Sequence, residues 1–107
     1  MRLGLLVLVA AAGSASGLIR HCILGRWKDN VTEATQQEAI DALRALPDSV
    51  PEIITYTVGP DLNLTAGNYD FGLVGEFANA SDFYAYEESE AHQVLSSVLF
   101  VRLSSVY

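Results

Sequence analysis

The feature that most constrains this fold is the order in which the hydrophobic period changes along the chain. Residues 18–26 form a mostly apolar run with Ile and Leu throughout, which reads as a strand buried on both faces. Thr32 then stands where a helix N-cap is wanted, with Glu33 in the first turn. Ala39, Ile40, Leu43 and Leu46 recur at helical spacing and predict an amphipathic helix over 32–46, stopped by Pro47 and Pro51. Residues 53–58 are β-branched and aromatic and end at Gly59 and Pro60, a second strand. A polar, turn-like stretch over 61–69 leads into a third strand, 70–77, with Phe71, Leu73 and Phe77 on one face. Gly72 and Gly75 leave room there for close approach by backbone or another layer. Ser81 is placed to cap a second helix, with Asp82 in its first turn and Ala91, Val94, Leu95, Val98 and Leu99 as its apolar stripe. Residues 102–107 can begin a fourth strand.

The order β-α-β-β-α-β defines an α+β, ferredoxin-like arrangement of two right-handed crossovers. It gives a four-stranded antiparallel sheet with both helices on one face. The other face is also apolar, and the chain has nothing left to cover it. An uncovered apolar face of that size calls for a partner, most simply a second copy about a two-fold axis. The expected assembly is therefore a homodimer.

The apolar residues are unevenly spread. Residues 3–12 carry no polar side chain, follow Met1 and Arg2, and precede the small-residue stretch 13–17. That order matches a secretory signal peptide over 1–17, ahead of a domain at 18–107. The run is too short to span a bilayer. Its other reading is an extra buried strand or an apolar extension. Asn30, Asn63 and Asn79 each head an N-x-Ser/Thr sequon, which would make them glycosylation acceptors in a secreted protein. Thr32 and Ser81 also suit helix capping, so two of those sequons have a structural explanation. The expected location is secreted, with a cytoplasmic protein as the alternative, and no stable membrane association is expected after processing. The first 28 residues hold four of the six cations and no acid. Without residues 1–17 the formal charge moves from −7 to −8, because only Arg2 is lost. Nucleic acid is excluded as a partner on that balance. Cys22 is the single cysteine, so no internal disulfide can form.

Few residues can carry chemistry. There is no glycine-rich phosphate loop, nucleophile elbow or His/Cys metal pair, and no cofactor is implied. The run Glu87, Glu88, Glu90 reads as a solvated helix face, and Asp70 and Glu76 as strand-end solubility residues. His21 shares a strand face with Ile19 and Ile23 and should be largely buried. A lone strand histidine of that kind is usually a hydrogen-bonded core residue. His92 follows Tyr86 by six residues, which on a continuous helix sends the two side chains apart. A straight helix is the reading that spacing favours. A helix restarted at Ser89 would instead let them converge, with neutral His92 as general base and Tyr86 as hydrogen-bonding or acidic partner.

Taken together, four stretches resemble the stress-responsive A/B barrel (Dabb) family of dimeric α/β barrels. They are Ile19–Leu24 with Lys28, Asp29 and 31–33; Leu46, Pro47, Val50 and Pro51; Tyr56–Pro60; and Asn68–Phe71 through Glu76 and Phe77 to Tyr86 and Ala91–Gln93. The resemblance covers 18–107. It implies that two sheets pack into a barrel in the dimer. The family includes plant stress-induced proteins and a plant polyketide cyclase that closes its substrate by aldol condensation. By that likeness the cyclase's catalytic pair falls on Tyr86 and His92, and its first-strand pocket histidine on His21. Its further pocket tyrosine and histidine fall on Leu43 and Phe71, implying a less polar pocket here. Where the family has His-Pro this chain has Ser89 and Glu90, so the helix-breaking proline is missing. Some relatives hold a cation by backbone carbonyls, at positions matching Pro47, Val50 and Ile53. Relatives also run past Tyr107, so the last strand is expected to be short.

Two functions follow as expectations. One is a non-catalytic homodimeric barrel that is filled or binds a small apolar ligand. The other is a cyclase-like enzyme performing acid–base chemistry on a small carbonyl compound in the barrel cavity.

Overall fold

The computed structural model describes residues 17–107; the apolar N-terminal run and the expected cleavage region before Gly17 lie outside them. The elements are β1 (Ile19–Trp27), α1 (Glu33–Ala45), a 3-10 turn (Leu46–Asp48), β2 (Ile53–Pro60), β3 (Phe71–Phe77), α2 (Ala80–Glu88), α3 (Glu90–Phe100) and β4 (Leu103–Val106). The sheet is antiparallel throughout, in the order β2-β3-β1-β4. This is the ferredoxin-like order the alternation of elements predicts.

Local chemistry explains most boundaries. Thr32 is extended, and its hydroxyl accepts the Thr35 N–H at 3.2 Å, which starts α1. Pro47 holds the end of that helix in a single 3-10 turn. β2 runs two residues further than its expected stop and includes Pro60, which pairs with Phe71. A proline fits there because β2 is an edge strand, where one N–H has no ladder partner to lose. The second helix begins at Ala80, capped by Asn79 rather than Ser81. The Asn79 Oδ1 accepts the Asp82 N–H at 2.8 Å. Asp70 is no mere solubility residue: its Oδ2 accepts the Trp27 N–H at 2.8 Å, beside the register shift where β1 meets β4.

The core lies between the sheet and the helices. Ile40, Leu43, Val58, Phe71 and Leu73 fill one half; Leu46, Val50, Phe77 and Tyr86 fill the other. β1 is covered on one face only, contrary to the two-sided burial its composition suggests. Arg20, Cys22 and Leu24 point to the opposite side and are exposed. There Leu24 lies across from Gly72 and Cys22 from Val74, and Tyr107 exchanges backbone hydrogen bonds with Leu24. Arg20 and Glu76 form an ion pair at one end, joined by the Thr55 hydroxyl. The open face is thus apolar in its middle and polar at that end. Among the described residues no helix is long and apolar enough to cross a membrane.

Candidate active site

The helical segment after Asn79 does not run straight. It breaks at Ser89, whose φ of −63° and ψ of 145° are extended, and restarts at Glu90. The Ser89 Oγ accepts the His92 N–H at 3.2 Å and donates to the Tyr86 carbonyl at 2.8 Å. One hydroxyl therefore closes the end of α2 and opens α3, the work a proline would otherwise do. The straight-helix expectation is corrected here, and the consequence is geometric. The Tyr86 and His92 rings come to 4.4 Å between centroids instead of diverging.

Tyr86 is buried, with 1% of its surface exposed. Its hydroxyl lies 2.8 Å from that of Tyr56, a residue not singled out from the sequence. Tyr56 alternates inward with Val58 on β2 and passes over Gly75. A Cβ at Gly75 would stand 3.0 Å from the Tyr56 ring, so glycine gives the ring its seat. When two hydroxyls share one hydrogen bond, one O–H proton remains for a third group. Burial raises the pKa of both phenols, and for Tyr56 the bond to Tyr86 raises it further. The pair is therefore protonated near neutral pH and acts as a donor. The His92 Nδ1 donates to the Glu87 carbonyl at 3.1 Å. A carbonyl can only accept, so Nδ1 carries a proton, and in the neutral ring Nε2 is then the acceptor.

Beside this pair lies a cavity of about 130 Å³ lined by Leu43, Tyr56, Phe71, Tyr86, His92 and Leu99 among others, mostly apolar. Leu43 and Phe71, the two positions of the pocket resemblance, are in its lining. The cavity sits between helices and sheet, on the side away from the open face, and so not where two facing sheets would enclose a barrel. His21 stands behind the pair rather than in the cavity wall. It is half-buried, with its ring 5.0 Å from Phe83 and 6.1 Å from Tyr86. Of the three carbonyls considered for a cation, that of Val50 accepts the Ile53 N–H at 3.2 Å. Asn30, Asn63 and Asn79 are all exposed.

Burial lowers the His21 pKa from its ordinary 6.5; Glu87 opposes the shift and His92 adds to it. The folded state therefore takes up this proton less readily than the unfolded chain. Its contribution to stability is complete above about pH 6.5 and is lost as pH falls through the lower folded-state value. Melting at pH 5.5 should occur below that at pH 7.5, and His21→Gln should remove part of the difference. An unchanged difference in that variant would assign the effect to other groups. Glu76, held low by its bonds to Arg20 and Thr55, loses its contribution only below the ordinary carboxylate range.

The model of the Stress responsive A/B Barrel Domain matches residues 19–105. The chain belongs to this family. Among solved structures, this A/B barrel domain is similar to a dimeric ferredoxin-like protein of unknown function from Thermobifida fusca. The two are 36% identical over 86% of this chain and 87% of that one, with a TM-score of 0.80. A hydroxynitrile lyase from Passiflora edulis is 18% identical over 86% of this chain and 89% of its own, at a TM-score of 0.78. A Dabb family protein from Mesorhizobium loti is 15% identical over 85% and 91%, at 0.72. The last two likenesses show the fold alone. No curated protein matches the sequence.

Proposed function

We propose that this A/B barrel protein is a homodimer, each protomer of which binds a small, mostly apolar molecule carrying one hydrogen-bonding oxygen. The observation that carries the ligand reading is the convergence of Tyr86, Tyr56 and His92 on one wall of the apolar cavity. At about 130 Å³ the space is close to the roughly 150 Å³ engineered cavity that holds benzene. A single ring or a branched chain of similar size fits, and a linear polyketide does not. The dimer reading rests on the uncovered sheet face, and the Thermobifida fusca relative is described as dimeric.

Phenol, benzaldehyde and benzene are suitable probes. All three should bind saturably and shift the amide resonances of Tyr86 and His92. Tyr86→Phe removes one hydrogen bond, about 1 kcal/mol, and should weaken phenol and benzaldehyde several-fold while leaving benzene unchanged. Equal effects on all three, or no binding, would overturn the proposal.

A second reading is acid–base catalysis on a small carbonyl compound, favoured by the neutral His92 tautomer in which Nε2 is the acceptor. It requires turnover that His92→Asn lowers by about 10²–10⁴-fold. We also infer secretion, from the N-terminal run and the three sequons; the mass of the mature N-terminus tests it.

A further inference from the structure

The three helices carry Glu33, Glu38, Asp41, Asp82, Glu87, Glu88 and Glu90 against one cation, Arg44, whose Nε donates to the Val58 carbonyl at 2.9 Å. The helical layer is therefore strongly negative. Within it runs a shallow, open apolar groove between α1 and α3, with Ala42, Ala45, Ala91, Val94 and Val98 in its lining and Glu90 at one end. Val94 and Val98 were expected in the core stripe. They are instead 57% and 45% exposed, because Ala91, Leu95 and Leu99 take the inward side of α3. Glu38 and Asp41 precede Ala42 and Ala45 by one turn on the same face of α1, which puts two carboxylates just beyond the Ala42 end of the groove.

We propose that this groove docks a cationic amphipathic helix from another protein. From Glu90 to Val98 it is roughly 12 Å long, two helical turns, which suits a partner helix anchored by apolar residues at i, i+3 or i+4 and i+7. The carboxylates select lysine or arginine flanking those anchors, and add to the rate of encounter. A second copy is the poorer occupant. Its helical layer would bring carboxylates against carboxylates, and of its five described cations Arg20, Arg26 and Arg44 are engaged with Glu76, Tyr69 and Val58, which leaves Lys28 and Arg102 against this acidic layer. An anionic bilayer is repelled for the same reason.

The test uses the full-length chain and a synthetic 18-residue Leu/Lys amphipathic helix at 0.15 M salt. Saturable 1:1 binding is expected, with amide shifts confined to α1 and α3. Val94→Ser with Val98→Ser should weaken it at least tenfold, as should Glu38→Gln with Glu90→Gln. These are surface positions, and the shift map needs no variant. An Ala/Lys helix of equal charge should bind at least tenfold more weakly. Equal binding of that control, shifts centred on the open sheet face, or a groove already filled by the N-terminal segment or a second copy would overturn the proposal.

Discussion

Leu24→Asp combined with Val74→Asp will turn the dimer into a folded monomer. Both side chains lie in the middle of the open sheet face, 39% and 38% exposed in the single chain. In a two-fold assembly each substitution occurs twice, so four carboxylates enter the contact. Each lost apolar side chain forfeits about 1 kcal/mol of burial, since part of it is already covered, and each carboxylate adds a desolvation cost of several kcal/mol. At 1.4 kcal/mol per tenfold, the dimer dissociation constant should rise by at least about 10³-fold. Sedimentation at micromolar concentration should show a dimer for the native protein and a monomer for the variant. A native protein that sediments as a monomer under those conditions would refute the assembly.

The same experiment has a chemical readout in Cys22, which is exposed on this face opposite Val74. In the dimer its thiol is covered, so labelling should be slow at concentrations above the dissociation constant and fast in the double variant. Melting should fall as well, since association stabilises only the folded state. The helix-side core is untouched by either substitution, so the secondary structure should remain.

The sheet was legible because its signals are local. Phe71, Leu73 and Phe77 alternate on β3, and the Thr32 cap and Pro47 bracket α1 within its own sequence. The same alternation implied that one sheet face would be left open. The site was less legible because its decisive element is a helix break without a proline. Ser89 offered a possible N-cap, but no Glu or Gln follows three positions later to complete a capping box, and serine also occurs within helices. The break shows in the structure, in the extended Ser89 backbone and the two hydrogen bonds of its hydroxyl. Tyr56 was legible only as a residue of β2, because its hydroxyl partner lies 30 positions away. The valines of α3 were misassigned because a helical stripe drawn across five residues is wider than the side the sheet covers. The contact of His21 with the Phe83 ring lies between distant parts of the chain, and no spacing reveals it.

Gly25→Ala should be among the most damaging single-methyl changes in this domain, and its effect should reach the cavity. Alanine in place of a strand glycine ordinarily gains about 0.5–1 kcal/mol. Here a Cβ would run into the Phe71 ring, which is buried and stacked on Trp27 with 4.8 Å between centroids. Two responses are open to Phe71. It can stay and strain β1, or it can turn into the adjacent 130 Å³ space that it lines. Overpacking of this kind costs about 1–3 kcal/mol, and a domain of this size loses about 4–8 °C of Tm per kcal/mol. A drop on the order of 10 °C is therefore expected, and if the ring turns inward, the binding of phenol and benzaldehyde is lost with it. Phe71→Ala separates the two. Alone it should cost about 3–5 kcal/mol. In that background Gly25→Ala should be neutral or slightly stabilising, because the ring it strikes is gone. The difference between the two Gly25→Ala effects, about 2 kcal/mol or more, measures the contact between β1 and the cavity floor. Additive losses would mean that glycine is required at position 25 for the backbone and not for the ring.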